Sequence, residues 1–251
     1  MIDIITCFCD KDFNLIDRFI NETKKLSFDF RLTFVDDRTD KNLDLSEKLS
    51  EYNYLIPPKK QGLFEARRFG FENTNNDFIW YVDIDDDLFD FKLNYLPTDD
   101  VVLYNFYLNE TTKNKISKQE FYPKDRLYII DLERESQLEY ADNFLLRTAL
   151  WNKIFNRKTL KKCYDSIPTL DNFFVYEDLY ILKHFIYFAK NYRTSTQCIY
   201  QWNASTLYEL KDNLDYLEKF KNYCVNEKVK AKLQKTLDLL YIDKASKETS
   251  N

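Results

Sequence analysis

The sequence predicts an α/β protein built on a mainly parallel sheet, and three observations carry that prediction. Short β-branched runs alternate with segments of helical spacing over the first hundred residues. Two of those runs empty into acidic clusters, at Asp36-Asp37 and at Asp83-Ile84-Asp85-Asp86-Asp87. The 251 residues, 44% hydrophobic and 17% aromatic, suffice to bury one sizeable core within a single large domain.

Taken in order, Ile2 to Phe8 is a β-branched run that predicts a first strand, and Leu15, Ile16, Phe19, Ile20 and Thr23 follow at helical spacing up to Leu26. Phe30 to Val35 repeats the strand pattern and stops at Asp36-Asp37. Leu43, Leu45 and Leu49 suit a short helix, and Tyr54-Leu55-Ile56 a third strand ended by Pro57-Pro58. Gln61 to Asn73 reads as a helix, and Phe78 to Val82 as the strand that delivers the second acidic cluster. Such alternation implies βαβ units, with ligands gathering beyond the carboxyl ends of the strands.

Past residue 100 the pattern loosens. Val101 to Tyr104 and Leu127 to Ile130 are expected strands, and Tyr176 to Ala189 an expected helix whose Glu177 and Asp178 suit its N-terminus. From Leu207 to Leu240, apolar residues recur at three- and four-residue steps, predicting an amphipathic helical extension over 207–251. That face is expected to pack on the protein's own body; a homodimer seam or a peripheral membrane contact are its other uses. The expected organisation is a domain over 1–206, in two halves (1–105 and 106–206), followed by the extension.

Composition narrows the function classes. A net charge of −5 offers no global attraction to a phosphate backbone, so no nucleic-acid partner is expected. Five cysteines, an odd number without Cys-x-x-Cys spacing, and a single histidine argue for reduced packing thiols and against a zinc site. His184 lies among Leu182, Phe185 and Ile186, the setting of a packing residue. No stretch of 18 apolar residues and no basic leader is present, so a soluble, cytoplasmic protein is expected, with the inner face of the membrane as a site of contact.

Four carboxylates within five residues at a strand end repel one another, and the usual remedy is a bound cation or a polyphosphate handled through one. The plainer alternative is a solvated acidic turn. Asp36 and Asp37 could accept hydrogen bonds from a nucleobase or ribose. Gly62, Ala66, Arg67 and Gly70 would let a helix approach bound nucleotide and set a guanidinium near phosphate. Asp83 and Asp85, two apart on an extended segment, would share a side and hold a divalent ion and ribose hydroxyls. Asp178 would supply a base, although Glu177-Asp178 alone could be a capping acid pair.

Five segments resemble, in order, the motifs of glycosyltransferase family 2, the inverting sugar-nucleotide transferases of the GT-A fold. Val35-Asp36-Asp37-Arg38-Thr39-Asp40 resembles V-D-D-G-S-T-D, and Gly62 to Gly70 resembles G-x-x-x-A-R-N-x-G. Val82-Asp83-Ile84-Asp85-Asp86 resembles the metal-binding D-x-D, Leu150-Trp151-Asn152-Lys153-Ile154-Phe155 the W-N-K-L-[FY] segment of bacterial surface-glycan enzymes, and Tyr176-Glu177-Asp178-Leu179 the E-D motif. The resemblance implies a metal-dependent hexosyltransferase whose nucleotide-binding half is 1–105 and whose acceptor half is 106–206. Asp36 or Asp37 reads the uracil or ribose of a UDP-sugar, and Gly62 and Arg67 line the donor site. Asp83 and Asp85 engage ribose and Mn²⁺ or Mg²⁺, Glu177 positions donor or acceptor, and Asp178 is the base. The implied acceptor is a glycan or glycolipid of lipopolysaccharide or capsule type, in polysaccharide biosynthesis. The chain departs from the family at Arg38, where a glycine is usual, and at Arg68, where asparagine is.

Three other readings differ in class. A haloacid dehalogenase-like phosphohydrolase also places D-x-D after a strand, but normally the first one, whereas Asp83 follows the fourth. A sugar-nucleotide-binding protein without turnover would have no need of the E-D pair. A phage-type DNA-base glycosyltransferase would need a local basic groove, for which Lys153, Arg157, Lys158, Lys161 and Lys162 are the candidates.

Overall fold

The computed structural model describes residues 1–93, 98–110, 115–120, 122, 124–130, 150–168 and 177–204. The expected extension at 207–251, Cys224 and Tyr176 lie outside the described residues. Strands β1 (Ile2–Phe8), β2 (Phe30–Asp36), β3 (Asn53–Leu55) and β4 (Phe78–Tyr81) form a parallel block in the order β3-β2-β1-β4. Because β2 and β3 lie on one side of β1 and β4 on the other, the strand order reverses beside β1. Ligands of open α/β sheets bind beyond the carboxyl ends at such a reversal.

Helix α1 (Ile16–Thr23) buries Ile16, Phe19 and Thr23, one stripe at helical spacing. Helix α2 (Leu63–Glu72) lies against β1 and β2, and its Gly70 explains how closely: a Cβ there would stand 2.7 Å from Ile5 Cγ2 and 2.9 Å from Val35 Cγ2. At its N-cap Gly62 has φ 84°, a left-handed value that favours glycine.

The second half is mixed rather than parallel. Beyond β4 the sheet continues through β9 (Lys153–Asn156), β6 (Val101–Glu110), β10 (Asn191–Ala204) and β5 (Asp87–Leu88), with β7 (Lys115–Gln119) on β6 and β8 (Arg126–Ile129) on β10. Only β6 and β10 run parallel there. β6 crosses the expected junction at 105–106, so the halves share a strand. Helices α3 (Arg157–Ser166) and α4 (Glu177–Ile186) cover one face, and the Asn156 side chain caps α3 by accepting the Lys158 N–H at 2.9 Å. Two core layers sandwich the sheet. One holds Ile5, Val35, Phe64, Tyr81, Phe155, Ile181 and Phe185; the other holds Ile4, Phe34, Trp80, Trp151, Ile154 and Tyr200.

Some expectations are corrected. The segment carrying Leu43, Leu45 and Leu49 forms turns, not an α-helix. Asp44 accepts the Ser46 N–H at 2.8 Å, a local bond that competes with helix formation, while Leu45 and Leu49 are still buried. The five basic residues do not form one groove: Lys153 is fully buried, and Arg157 donates inward to Asn76 O, Phe71 O, Thr74 Oγ1 and Asp3. Only Lys158, Lys161 and Lys162 of the five are exposed.

Candidate active site

Each acidic strand end has its own setting. At the end of β2, Asp36 is fully buried and its oxygens are in demand. Oδ1 accepts from Arg38 N and Nε (both 3.0 Å) and Lys41 Nζ (2.7 Å); Oδ2 accepts from Arg38 Nη2 (2.7 Å) and Tyr54 Oη (2.6 Å). Burial alone would raise this carboxyl, but the hydrogen bonds from Arg38, Lys41 and Tyr54 pull it down to about 2. Arg38, where the family usually has glycine, thus serves as the counter-ion of its neighbour, its guanidinium 5.7 Å from the Phe8 ring centroid. Asp37 accepts the backbone N–H groups of Gln61 (2.7 Å) and Gly62 (2.9 Å), tying β2 to the start of α2. The side-chain oxygen of the same Gln61, Oε1, is buried and has no hydrogen-bond partner.

Beyond β4 the chain does not stay extended. Ile84 and Asp85 form a turn and Asp86 a bend, so Asp83 and Asp85 are not related by strand alternation. Three of the four carboxylates are tethered. Asp86, buried, accepts from Tyr200 Oη and from Asn203 N at 2.7 Å; Asp87 pairs with Arg18 and accepts from Gln201 Nε2 at 2.6 Å; Asp83 accepts from Arg67 Nη2 at 2.7 Å. The Tyr200 hydroxyl also accepts the Asp83 N–H at 3.1 Å, so one phenol holds both ends of the turn. Asp85 is the exposed member. Burial followed by the charge of Asp83 pushes Asp86 up to about 8, and burial raises Asp85 as well.

Arg67 joins this turn to α4. Its Nη1 donates to Glu177 Oε1 at 2.6 Å and to Asp178 Oδ1 at 2.5 Å, and its guanidinium lies 6.0 Å from the Tyr81 ring centroid. Leu150 N makes a longer contact of 3.4 Å to Asp178 Oδ2. One cation therefore faces three carboxylates. Burial, then the negative charge of Asp178, push Glu177 well above the usual range. Burial would raise Asp178 too, but Arg67 and a hydrogen bond from Glu177 hold it below the usual carboxylate value. Burial raises Asp83, aided by the charges of Asp178 and Asp85 and opposed by Arg67. The arrangement fits an ionised Asp178 beside a protonated Glu177.

Of the residues the sequence nominates, Arg67, Asp83, Glu177 and Asp178 come together at one place, and Arg67 sits among the acids rather than alone beside a phosphate position. Asp36, Asp37 and Gly62 form a separate group at the start of α2. His184 packs against Tyr180, ring centroids 4.8 Å apart, as expected of a packing residue. Cys7, Cys9, Cys163 and Cys198 are free thiols. Sequence reasoning missed Tyr200, which with Asn203 anchors the acidic turn; Asn203 lies in Gln201-Trp202-Asn203-Ala204-Ser205, a stretch that loosely matches a family region near the metal.

A parallel α/β half with acidic clusters beyond its strand ends, completed by a mixed sheet and an acid-bearing helix, is the architecture of a nucleotide-sugar transferase. The chain belongs to glycosyl transferase family 2, whose model matches residues 3–174. Solved structures of S. aureus TarS share its GT-A fold. TarS 1-349 in complex with UDP-GlcNAc is 15% identical with a TM-score of 0.61, over 92% of this chain and 70% of that one. The same fragment in complex with UDP is 17% identical with a TM-score of 0.62, over 92% and 69%. A longer TarS chain is 16% identical with a TM-score of 0.62, over 93% of this chain but 42% of its own length. No curated protein sequence matches the chain. No helix among the described residues is long and apolar enough to cross a membrane.

Proposed function

We propose that this chain is an inverting transferase that moves a sugar from a UDP-sugar to a hydroxyl of a glycan or glycolipid acceptor. The observation that carries the reading is the meeting of Asp83 with Glu177 and Asp178 on Arg67, which unites a donor-side and an acceptor-side carboxylate in a chain of this family. The UDP-GlcNAc and UDP complexes of the TarS neighbours support the donor class. Inward-turned Lys153 and Arg157, with a net charge of −5, favour a glycan over DNA as acceptor.

On the donor side, Asp37 is favoured over Asp36 for the base contact. Asp36 already accepts five hydrogen bonds, whereas Asp37 accepts two and retains lone pairs. The unpartnered Gln61 Oε1 would take a base N–H beside it. Gly62 brings the backbone close at the N-terminus of α2, where negative charge is favoured. Among the described residues no group of three ligating side chains forms a closed metal cage. An exposed Asp85 and a partly exposed Asp83 nevertheless fit a hard cation that takes one or two carboxylates and completes its shell with substrate phosphates. Bound there, Mn²⁺ or Mg²⁺ supplies neutralisation of the charge that develops on the departing diphosphate.

Asp178 accepts the proton of the acceptor hydroxyl. The acceptor oxygen forms its bond to the anomeric carbon on the face opposite the breaking bond to diphosphate, so one displacement inverts that centre. Glu177, protonated, donates to Asp178 and fixes its orientation. Arg67 keeps Asp178 anionic. The reading is tested by melting the protein with UDP, GDP, CDP and dTDP sugars, with and without Mn²⁺. A ligand at about 100 times its dissociation constant adds about 2.7 kcal/mol. A metal-dependent rise with UDP-sugars, lost in Asp85→Asn, is expected; no rise with any nucleotide sugar would overturn the reading.

A further inference from the structure

The segment bearing Asp83 and Asp85 turns, so strand alternation does not set the distance between these two carboxylates. The contacts that shape the turn set it instead, and Tyr200 makes them at both ends. Its hydroxyl accepts the Asp83 N–H at 3.1 Å where the turn begins, and donates to Asp86 Oδ2 further along. Its backbone pairs in register with Leu88 of β5, and the preceding Ile199 O accepts the Phe89 N–H at 3.1 Å, so the same stretch of β10 also holds the exit of the turn.

The phenol itself has little freedom. Tyr200 is fully buried, and its ring stacks on Trp151 with centroids 4.4 Å apart and planes 7° apart. Trp151 in turn meets Phe106 edge-on at 4.6 Å, and its carbonyl accepts the Trp80 Nε1–H. The register of β10 on β6 shifts between Ser195 and Cys198 and again between Cys198 and Tyr200. Such irregularities re-aim side chains and gather beside active sites. These stand immediately before the residue that reaches the turn.

The anchors divide the acids of the turn between them. Asp86 accepts from Asn203 N with Oδ1 and from Tyr200 with Oδ2, and Asp87 is engaged by Arg18, Gln201 and Asn203. Asp83 is fixed at its N–H by Tyr200 and at its carboxylate by Arg67, and Asp85 is left exposed. Two carboxylates serve one hard cation best when their separation is set beforehand, because any ordering that binding must enforce is subtracted from affinity.

We propose that Tyr200 is the positioning residue of the donor-side metal site. Its hydroxyl holds the turn in the shape that presents Asp83 and Asp85 to a divalent cation carrying a nucleoside diphosphate, and Asp86 is the anchor of that hydroxyl, not a ligand. The inference rests on the transferase reading and concerns residues outside the D-x-D pair. Tyr200 touches neither substrate nor ion; it acts through Asp83 and Asp86. Partners that orient metal ligands in this way carry about 10–100-fold in metal affinity.

The test titrates Mn²⁺ into the full-length wild type and Tyr200→Phe in the presence of UDP, with free Mn²⁺ read by electron paramagnetic resonance. The substitution keeps a ring on Trp151 and removes only the hydroxyl. The Mn²⁺ dissociation constant should rise about ten- to hundredfold, and in turnover the KM for Mn²⁺ should rise by the same factor with kcat at saturating Mn²⁺ retained. Asp85→Asn should abolish Mn²⁺ binding. Asp86→Asn, whose amide can still accept from Asn203 N and donate to the phenol oxygen, should weaken it no more than Tyr200→Phe does. Should Tyr200→Phe fail to fold, Asp86→Ala takes its place, because it removes the acceptor of the phenol and leaves the ring. An unchanged Mn²⁺ affinity in the folded variant, even with a lowered Tm, reduces Tyr200 to packing and overturns the proposal. Loss of Mn²⁺ binding in Asp86→Asn as complete as in Asp85→Asn makes Asp86 a ligand and overturns it too. A wild type that binds UDP without Mn²⁺ overturns this inference and leaves the donor reading; one that binds neither overturns both.

Discussion

At the end of β2, Asp36 receives hydrogen bonds from Arg38, Lys41 and Tyr54 and is drawn down to about 2. Beyond β4, Asp83, Glu177 and Asp178 share the single guanidinium of Arg67, and burial raises two of the three. Both are buried acidic sites at neighbouring strand ends. The first is complete within the protein, so its charge serves the fold. The second carries more negative charge than its cation can balance, and such an imbalance leaves work for a ligand, a proton or a metal ion. A perturbed carboxylate marks chemistry only when its partners are too few.

The largest expected effect separates the sites by activity. Asp178→Asn should lower transfer by about 10²–10⁴-fold, the usual worth of a general base, with donor binding retained in a thermal-shift assay. Transfer at the wild-type rate would remove Asp178 from the base role.

Next come two stability measurements that distinguish a complete site from an incomplete one. Asp36→Asn and Arg67→Met should each cost about 3–5 kcal/mol at neutral pH by denaturant unfolding, because each leaves buried charge uncompensated. Their pH windows should differ. The native Asp36 carboxyl lies below its unfolded value, so its contribution is present above about pH 3.9 and lost as pH falls toward 2. The Asp36→Asn deficit should therefore be complete by about pH 5. Without Arg67 the three carboxyls rise above their unfolded values, so their stability is present in acid and lost as pH climbs. The Arg67→Met deficit should keep growing above pH 5, and coincident windows would erase the contrast. Smallest is Gly70→Ala, where a Cβ crowding Ile5 and Val35 should cost about 1–3 kcal/mol while leaving donor specificity unchanged.

Much of the parallel half was legible because a parallel strand is a continuous apolar run, and β1, β2 and β4 read that way in isolation. The mixed half was not. β9 and α3 follow each other without a break at Asn156 and Arg157, and β10 carries Thr194, Ser195, Thr196 and Gln197 in a strand defined by its partners rather than by its pattern. Arg67, Glu177 and Asp178 were each legible as functional residues, but their pairing was not, since Glu177 and Asp178 lie more than a hundred positions from Arg67.

The sequence by itself determined the fold class, the family motifs and the identity of the acids, because local spacing and hydrophobic period survive in one dimension. Only the tertiary structure decided which acids are neutralised. Arg38 and Tyr54 close around Asp36, Tyr200 clasps the acidic turn, Arg67 is divided among three carboxylates, and Lys153 is buried. Charge state depends on burial and on partners brought near by folding, and neither is written in the order of the residues.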